Sequence, residues 1–185
     1  MAMQRFPLKK YASVELNQVG FPKTGLVVSQ TPLGVEFTED APCENGMWVL
    51  ADKARGYIGS AAATTDSPIG IVYTSEKEYD MNHYGLNTFG RKIQGDCPRV
   101  GIFALGDTIT SNCFQYDTTE FATVEALMAA CAAYETTPLY VTVVANSPVP
   151  KLTKTKPASG CYAKVTKCYT VPNGEAGLKY QIVHL

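Results

Sequence analysis

Apolar residues in this chain come in short alternating runs separated by glycine, proline and asparagine, a pattern that predicts many short strands. Strands are expected at 14–19, at 26–30 and at 33–37. The turn residues Pro42-Cys43-Glu44-Asn45-Gly46 then lead into Met47-Trp48-Val49-Leu50-Ala51. A second turn at 52–56 sends the chain back through Tyr57-Ile58-Gly59, so 47–59 reads as a hairpin. Further strands are expected at 69–74, 99–104, 108–116 (after a turn at Gly106-Asp107) and 139–145. Segments 60–68 and 146–160, small and polar or rich in Pro, Lys and Thr, read as exposed loops. At the end of the chain Cys161, Ala163, Val165, Tyr169 and Val171 share one parity, with Lys167 the exception, and Leu178, Tyr180 and Ile182 line the return strand. Pro172-Asn173-Gly174 supplies the turn of that hairpin.

A single segment follows the helical period instead. Val124, Leu127, Met128, Cys131 and Tyr134 form one apolar stripe over 124–134, with Thr123 placed to cap it, Glu125 in its first turn and the helix formers Ala129, Ala130, Ala132 and Ala133 inside it. This helix is expected to pack one face on a sheet. The fold class is therefore mainly β with one packed α-helix (α+β), a small β-barrel or sandwich formed by 14–185 as one domain. Residues 1–13, which include Arg5, Phe6, Lys9, Lys10 and Tyr11, follow neither period and read as an extended arm, ordered only when something binds it. The stretch 75–98, with Asn82, Gly85, Asn87, Gly90 and Gly95, is longer than most loops in a compact domain. Such loops serve function or motion, and Tyr79, Met81, Tyr84, Leu86 and Phe89 are available there to pack on a neighbour.

Length and composition sharpen this picture in a few places. A chain of 185 residues suits one domain, and burial of roughly 70% of the unfolded surface gives it a core without staples. The net charge of −1 hides an asymmetry: residues 31–147 hold 15 acids and 6 bases, whereas 148–185 hold 6 lysines and the single acid Glu175. Residues 1–30 are also basic, with Arg5, Lys9, Lys10 and Lys23 against Glu15. A basic arm and tail around an acidic body either serve solubility or meet an acidic partner, including a neighbouring copy. The bases are too diluted for direct binding to duplex nucleic acid. No window reaches the roughly 18–20 apolar residues of a membrane span, and no secretory signal is visible at the start. The cysteines at 43, 97, 113, 131, 161 and 168 make no C-x-x-C pair and are expected to be free thiols in a reducing cytoplasm, not a zinc site.

Candidate chemistry is sparse. Nucleophilic catalysis needs a Ser or Cys near a histidine held by a third group. The only histidines are His83, in the polar stretch, and His184, on the apolar parity of the last strand and expected to be partly buried there. No G-x-S-x-G elbow is present, and no glycine precedes the helix to cradle a phosphate. Glu76, Glu78 and Asp80 read as a solvated face before a calcium site or a glycosidase pair. Trp48, between Met47 and Val49, reads as core before a sugar platform. No cofactor and no enzymatic activity are expected. A carbohydrate or small-ligand binding module, with Trp48 and loop tyrosines as its platform, and a hydrolase using His83 remain as competing classes.

The run Asn45-Gly46-Met47-Trp48-Val49-Leu50-Ala51-Asp52-Lys53 after a basic arm, followed by Pro68-Ile69-Gly70-Ile71-Val72, resembles small β-rich virion accessory proteins of tailed bacteriophages, the head-decoration or cement class. The segment Gly106-Asp107-Thr108-Ile109-Thr110-Ser111-Asn112, with the downstream helix and terminal hairpin, is similar to phage structural proteins more generally, tail-tube proteins among them. The resemblance implies a homo-oligomer, often a trimer, assembled in the host cytoplasm, which docks on the major capsid protein or another virion protein and reinforces the shell. It also implies that the arm docks, with Phe6 and Tyr11 as anchors and Arg5, Lys9 and Lys10 as polar partners. On that view, deleting residues 1–13 abolishes docking and leaves the fold intact.

Overall fold

Asn45-Gly46 turns tightly into the first long strand, and a glycine is required there. Gly46 has φ +88°, and a Cβ at that position would lie 2.5 Å from both the Cys113 Cβ and the Ser111 Oγ. In this computed structural model, residues 2–8, 12, 14, 27–28, 31–52, 56–59, 68–74, 93–170 and 174–185 are described. The expected strand 14–19 apart from Val14, the arm residues Lys9, Lys10 and Tyr11, the acids Glu76, Glu78 and Asp80, and His83 lie outside them.

Among the described residues the chain runs β1 (Met3–Arg5), β2 (Val27–Val28), β3 (Trp48–Asp52), β4 (Gly56–Ile58), β5 (Ile69–Val72), β6 (Val100–Ile102), β7 (Thr108–Ser111), β8 (Gln115–Asp117), α1 (Val124–Ala132), β9 (Tyr140–Val144), β10 (Ser147–Thr153), β11 (Tyr162–Thr170) and β12 (Ala176–His184). They form a seven-stranded sheet in the order β1-β8-β10-β9-β11-β12-β7 and a five-stranded sheet in the order β2-β6-β5-β3-β4. The described residues are mainly β with one helix, as the apolar pattern predicts.

The connection from β7 to β8 determines the shape of the larger sheet. These strands are consecutive in the chain yet separated by five strand spacings in the sheet, a flat distance of about 24 Å. The three residues 112–114 that join them bring the strand ends within roughly 14 Å of each other. The sheet must therefore curl until its two ends approach, and its concave side encloses the core. This is also why the expected single strand 108–116 is broken: its halves serve opposite ends of one curled sheet.

The core fills the curl. Ile109, Tyr116, Val141, Leu152, Ala163, Val165, Leu178, Tyr180 and Ile182 line it from the strands, and Leu127 and Cys131 enter it from α1. The smaller sheet contributes Trp48 and Ile71 to the same cluster, while Met47, Val49, Val72 and Val100 face a second core with Leu33, Phe37, Cys43 and Cys113. Trp48 is the joint between the sheets. It is 1% exposed, packs edge-on to Phe103 with ring centroids 5.0 Å apart, and donates its Nε1–H to the Tyr180 Oη at 3.3 Å.

Several expected elements differ in detail. The terminal hairpin forms, but a bulge between Val165 and Lys167 shifts the register, so Cys168, not Tyr169, pairs with the buried Leu178 and packs on the core. Lys167, the one residue out of pattern, marks that bulge. The segment 33–37 is a bridge and a turn, with Phe37 N–H bonded to the Gly34 carbonyl. The expected loop 146–160 contains β10, whose residues Lys151 and Leu152 pair on both sides. Its prolines, Pro148 and Pro150, fall in the irregular stretch between the Ser147 and Lys151 pairings, where no ladder donor is needed. The helix is capped by Thr123, whose side chain accepts from the Ala126 N–H, but it stops at Ala132, short of the expected 134. Pro138 disfavours helical backbone at the residue before it, and Thr136 and Thr137 instead close on the Ala133 carbonyl. Only Leu127 and Cys131 of the stripe are buried, while Val124 and Met128 stay 39% and 37% exposed.

The arm is the largest correction. Met3–Arg5 is an edge strand antiparallel to β8, Phe6 is 3% exposed and stacks edge-on to Phe114 at 5.0 Å, and Ala12 and Val14 are buried. The period-based reading missed this because a three-residue strand is too short to show a period. Its apolar anchor, Phe6, also follows the strand and does not alternate within it.

Candidate docking face

The concave side of the large sheet is occupied by the core, and among the described residues of its convex side Lys164 is exposed, Thr108, Tyr140, Thr142, Lys179 and Gln181 are half-buried, and Thr110 and Tyr162 are buried. Cross-strand pairing sets out its residues. Thr108 pairs with Gln181, Gln181 with Lys164, and Lys164 with Tyr140, giving one continuous row across β7, β12, β11 and β9. Lys179 lies beside this row opposite Thr110, and the Thr166 hydroxyl donates to the Lys179 carbonyl. Tyr162 pairs with both Thr142 and His184 and packs edge-on to Tyr140, with ring centroids 6.1 Å apart. Strands β7, β9, β11 and β12 contain Lys164, Lys167 and Lys179 and no Asp or Glu. Among the described residues neither Lys164 nor Lys179 takes part in an ion pair.

The acids at the far edge of the same sheet are already neutralised. Lys151 Nζ lies 2.9 Å from the Glu120 Oε1 and 3.6 Å from the Asp117 Oδ2. Hydrogen bonds from the Thr119 amide and hydroxyl, aided by Lys151, hold Asp117 below the usual carboxylate range. Burial raises the Glu120 pKa, but Lys151, the Lys154 amide and the Thr153 hydroxyl outweigh it and leave the group lowered. Both groups stabilise the fold above the ordinary carboxylate pKa, and that contribution is lost as pH falls through their lowered values. Replacing Lys151 with methionine should move both pKa values up, so acid unfolding should begin at a higher pH than in the wild type. Circular dichroism against pH checks this; superimposable acid transitions would show that Lys151 does not couple to the pair.

The residues expected to carry function are scattered. Arg5 is internal to the molecule's own contacts: its Nη2 donates to the Glu44 Oε2 at 3.2 Å and reaches the Cys113 Sγ at 3.8 Å. Phe6 is buried, so it is no free anchor, and Lys9, Lys10 and Tyr11 lie outside the described residues. Trp48 is core, so the sugar platform built on it is lost. His184 is exposed, not partly buried in the core. A register shift beside Tyr162 turns it to the convex side, where it stacks on Tyr162 at 5.2 Å with its Nδ1 2.9 Å from the Gly160 carbonyl oxygen.

No family model, curated protein or solved structure matches this chain. Among the described residues no group of three or more potential metal ligands forms, and no helix is long and apolar enough to cross a membrane. The lysine row was missed because its charge was read only as a bulk tail excess. A sharper signal is present in the sequence: residues 136–174 contain no acid at all, yet they supply three full strands, β9, β10 and β11.

Proposed function

We propose that this chain is a structural virion protein of the head-decoration or cement type, docking in several copies on a shell of capsid subunits and reinforcing it. What supports the reading is the convex face of the seven-stranded sheet, a rigid surface on which Lys164 and Lys179 stand among Thr108, Thr142, Tyr140 and Gln181 without acidic neighbours on their strands. Such a face fits an acidic protein surface. The resemblance around 45–53 and 106–112 supplies the virion class, and the docking role passes from the arm to the sheet.

The energetics suit a repeated lattice. Exposed ion pairs contribute only about 0–1 kcal/mol each, so one copy binds weakly and reversibly. An oligomer engaging several lattice points gains roughly 10²–10⁴ in avidity without any new kind of contact. Attachment through lysines should also weaken with added salt, because exposed charges are screened beyond a Debye length of about 8 Å at physiological ionic strength.

The test is occupancy on density-purified particles from cells producing the protein, measured by quantitative mass spectrometry. Wild-type protein should band with the particles, and the double variant Lys164→Glu/Lys179→Glu should lose about tenfold or more of its occupancy. Its thermal unfolding should stay close to wild type, because Lys164 is exposed and neither lysine has an ion pair to lose among the described residues. Equal occupancy of the double variant, or absence of the wild type from particles, would overturn the proposal.

A further inference from the structure

Two cysteines far apart in sequence meet where the helix rests on the terminal hairpin. Cys131 belongs to the last turn of α1 and is buried in the main core, whereas Cys168 lies on β11 and is only half-buried. The Cys168 Sγ donates to the Cys131 carbonyl oxygen, 37 residues away, which brings the two cysteines side by side. The bulge between Val165 and Lys167 creates this meeting, because it puts residue 168 on the core side of the strand. Without it, alternation would turn Cys168 to the opposite side, away from the helix.

The geometry points to Cys131 and Cys168 as a modification site, a dithiol that a small-molecule disulfide oxidises to an intramolecular disulfide fastening α1 to β11. Cys168 is the attacking residue. It is the more accessible of the two, and its contact with Cys131 lowers its pKa, while that same contact and burial raise the pKa of Cys131. The Cys168 thiolate attacks one sulfur of an oxidised glutathione molecule, breaking its S–S bond and releasing one glutathione thiolate, which takes up a proton. The Cys131 sulfur, losing its proton to solvent, then attacks the Cys168 sulfur of the mixed disulfide and expels the second glutathione. The protein loses two protons and two electrons, and one oxidised glutathione becomes two reduced ones. The other cysteines are placed differently. Cys43, Cys113 and Cys161 are buried, and burial raises the pKa of each, while Cys97 is exposed.

Full-length protein in a Cys97→Ser background, which removes the exposed competitor, is incubated with oxidised glutathione while folded, then alkylated and digested without reductant. The expected product is a cross-linked peptide joining Cys131 to Cys168, with the protein lighter by two hydrogens and restored by dithiothreitol. The cross-linked form should melt roughly 5–10 °C above the reduced form, because closing a loop of this length restricts the unfolded chain. The linkage should vanish in both Cys131→Ser and Cys168→Ala, two chemically different changes that guard against misfolding of either one. A stable glutathione adduct on Cys168 with Cys131 still free, a disulfide through Cys43, Cys113 or Cys161, or no reaction of the folded protein would each overturn the inference.

Discussion

Replacing Trp48 with alanine is expected to remove about 3–5 kcal/mol of stability, a large fraction of the roughly 5–15 kcal/mol margin of a typical domain. The magnitude follows from where the indole sits. It is almost wholly buried, it packs on Phe103 from one side and approaches Tyr180 from the other with ring centroids 6.1 Å apart, and its Nε1–H satisfies the Tyr180 hydroxyl. The loss would open a cavity at the junction of the two sheets and leave a buried phenol without its donor. Burial already holds Tyr180 well above the usual phenol pKa, so ionisation offers that hydroxyl no relief. Trp48→Phe separates the two effects. It keeps much of the ring packing and loses the hydrogen bond, and should cost roughly 1–3 kcal/mol. Because the chain has a single tryptophan, urea unfolding should be followed by far-UV circular dichroism. A Trp48→Ala midpoint within error of wild type would mean that the sheets are not joined there.

The second large effect is expected at Phe6. Its replacement by alanine should cost about 3 kcal/mol, because the ring is buried and packs edge-on to Phe114. Removing residues 1–8 should cost more, since it also strips β1 from β8 and takes away Arg5, the partner of Glu44, together with the Gln4 side chain that accepts from the Tyr116 hydroxyl at 2.9 Å. A free arm predicts the opposite, a truncated protein as stable as the full chain. Equal urea midpoints for the two proteins would restore the arm to that role.

Much of the fold was legible because its elements are long enough to carry a period. The capped helix and the terminal hairpin show a helical stripe or alternation over several residues, and β3 shows as a continuous apolar run bounded by turns. What stayed hidden lies below that length or depends on distant partners. β1 and β2 are too short to read, and the prolines of β10 look like a loop until both neighbouring strands are known. The split of 108–116 follows from sheet curvature, which no local window contains. The site was less legible than the fold. Arg5 and Phe6 are charged or aromatic residues in an aperiodic segment, a pattern that marks lattice anchors and edge strands equally well. The convex face depends on which strands lie side by side, and pairing, not composition, brings Lys164 and Lys179 onto one surface.

Lysine footprinting addresses the docking face most directly. Free protein and particle-bound protein are each acetylated briefly with a small amine-reactive reagent, and modification is read residue by residue. Protection of Lys164 and Lys179 on particles, with Lys156 in the loop beyond β10 labelled equally in both states, is the predicted result. Equal labelling of Lys164 and Lys179 in the free and bound forms would place the contact elsewhere and contradict the account.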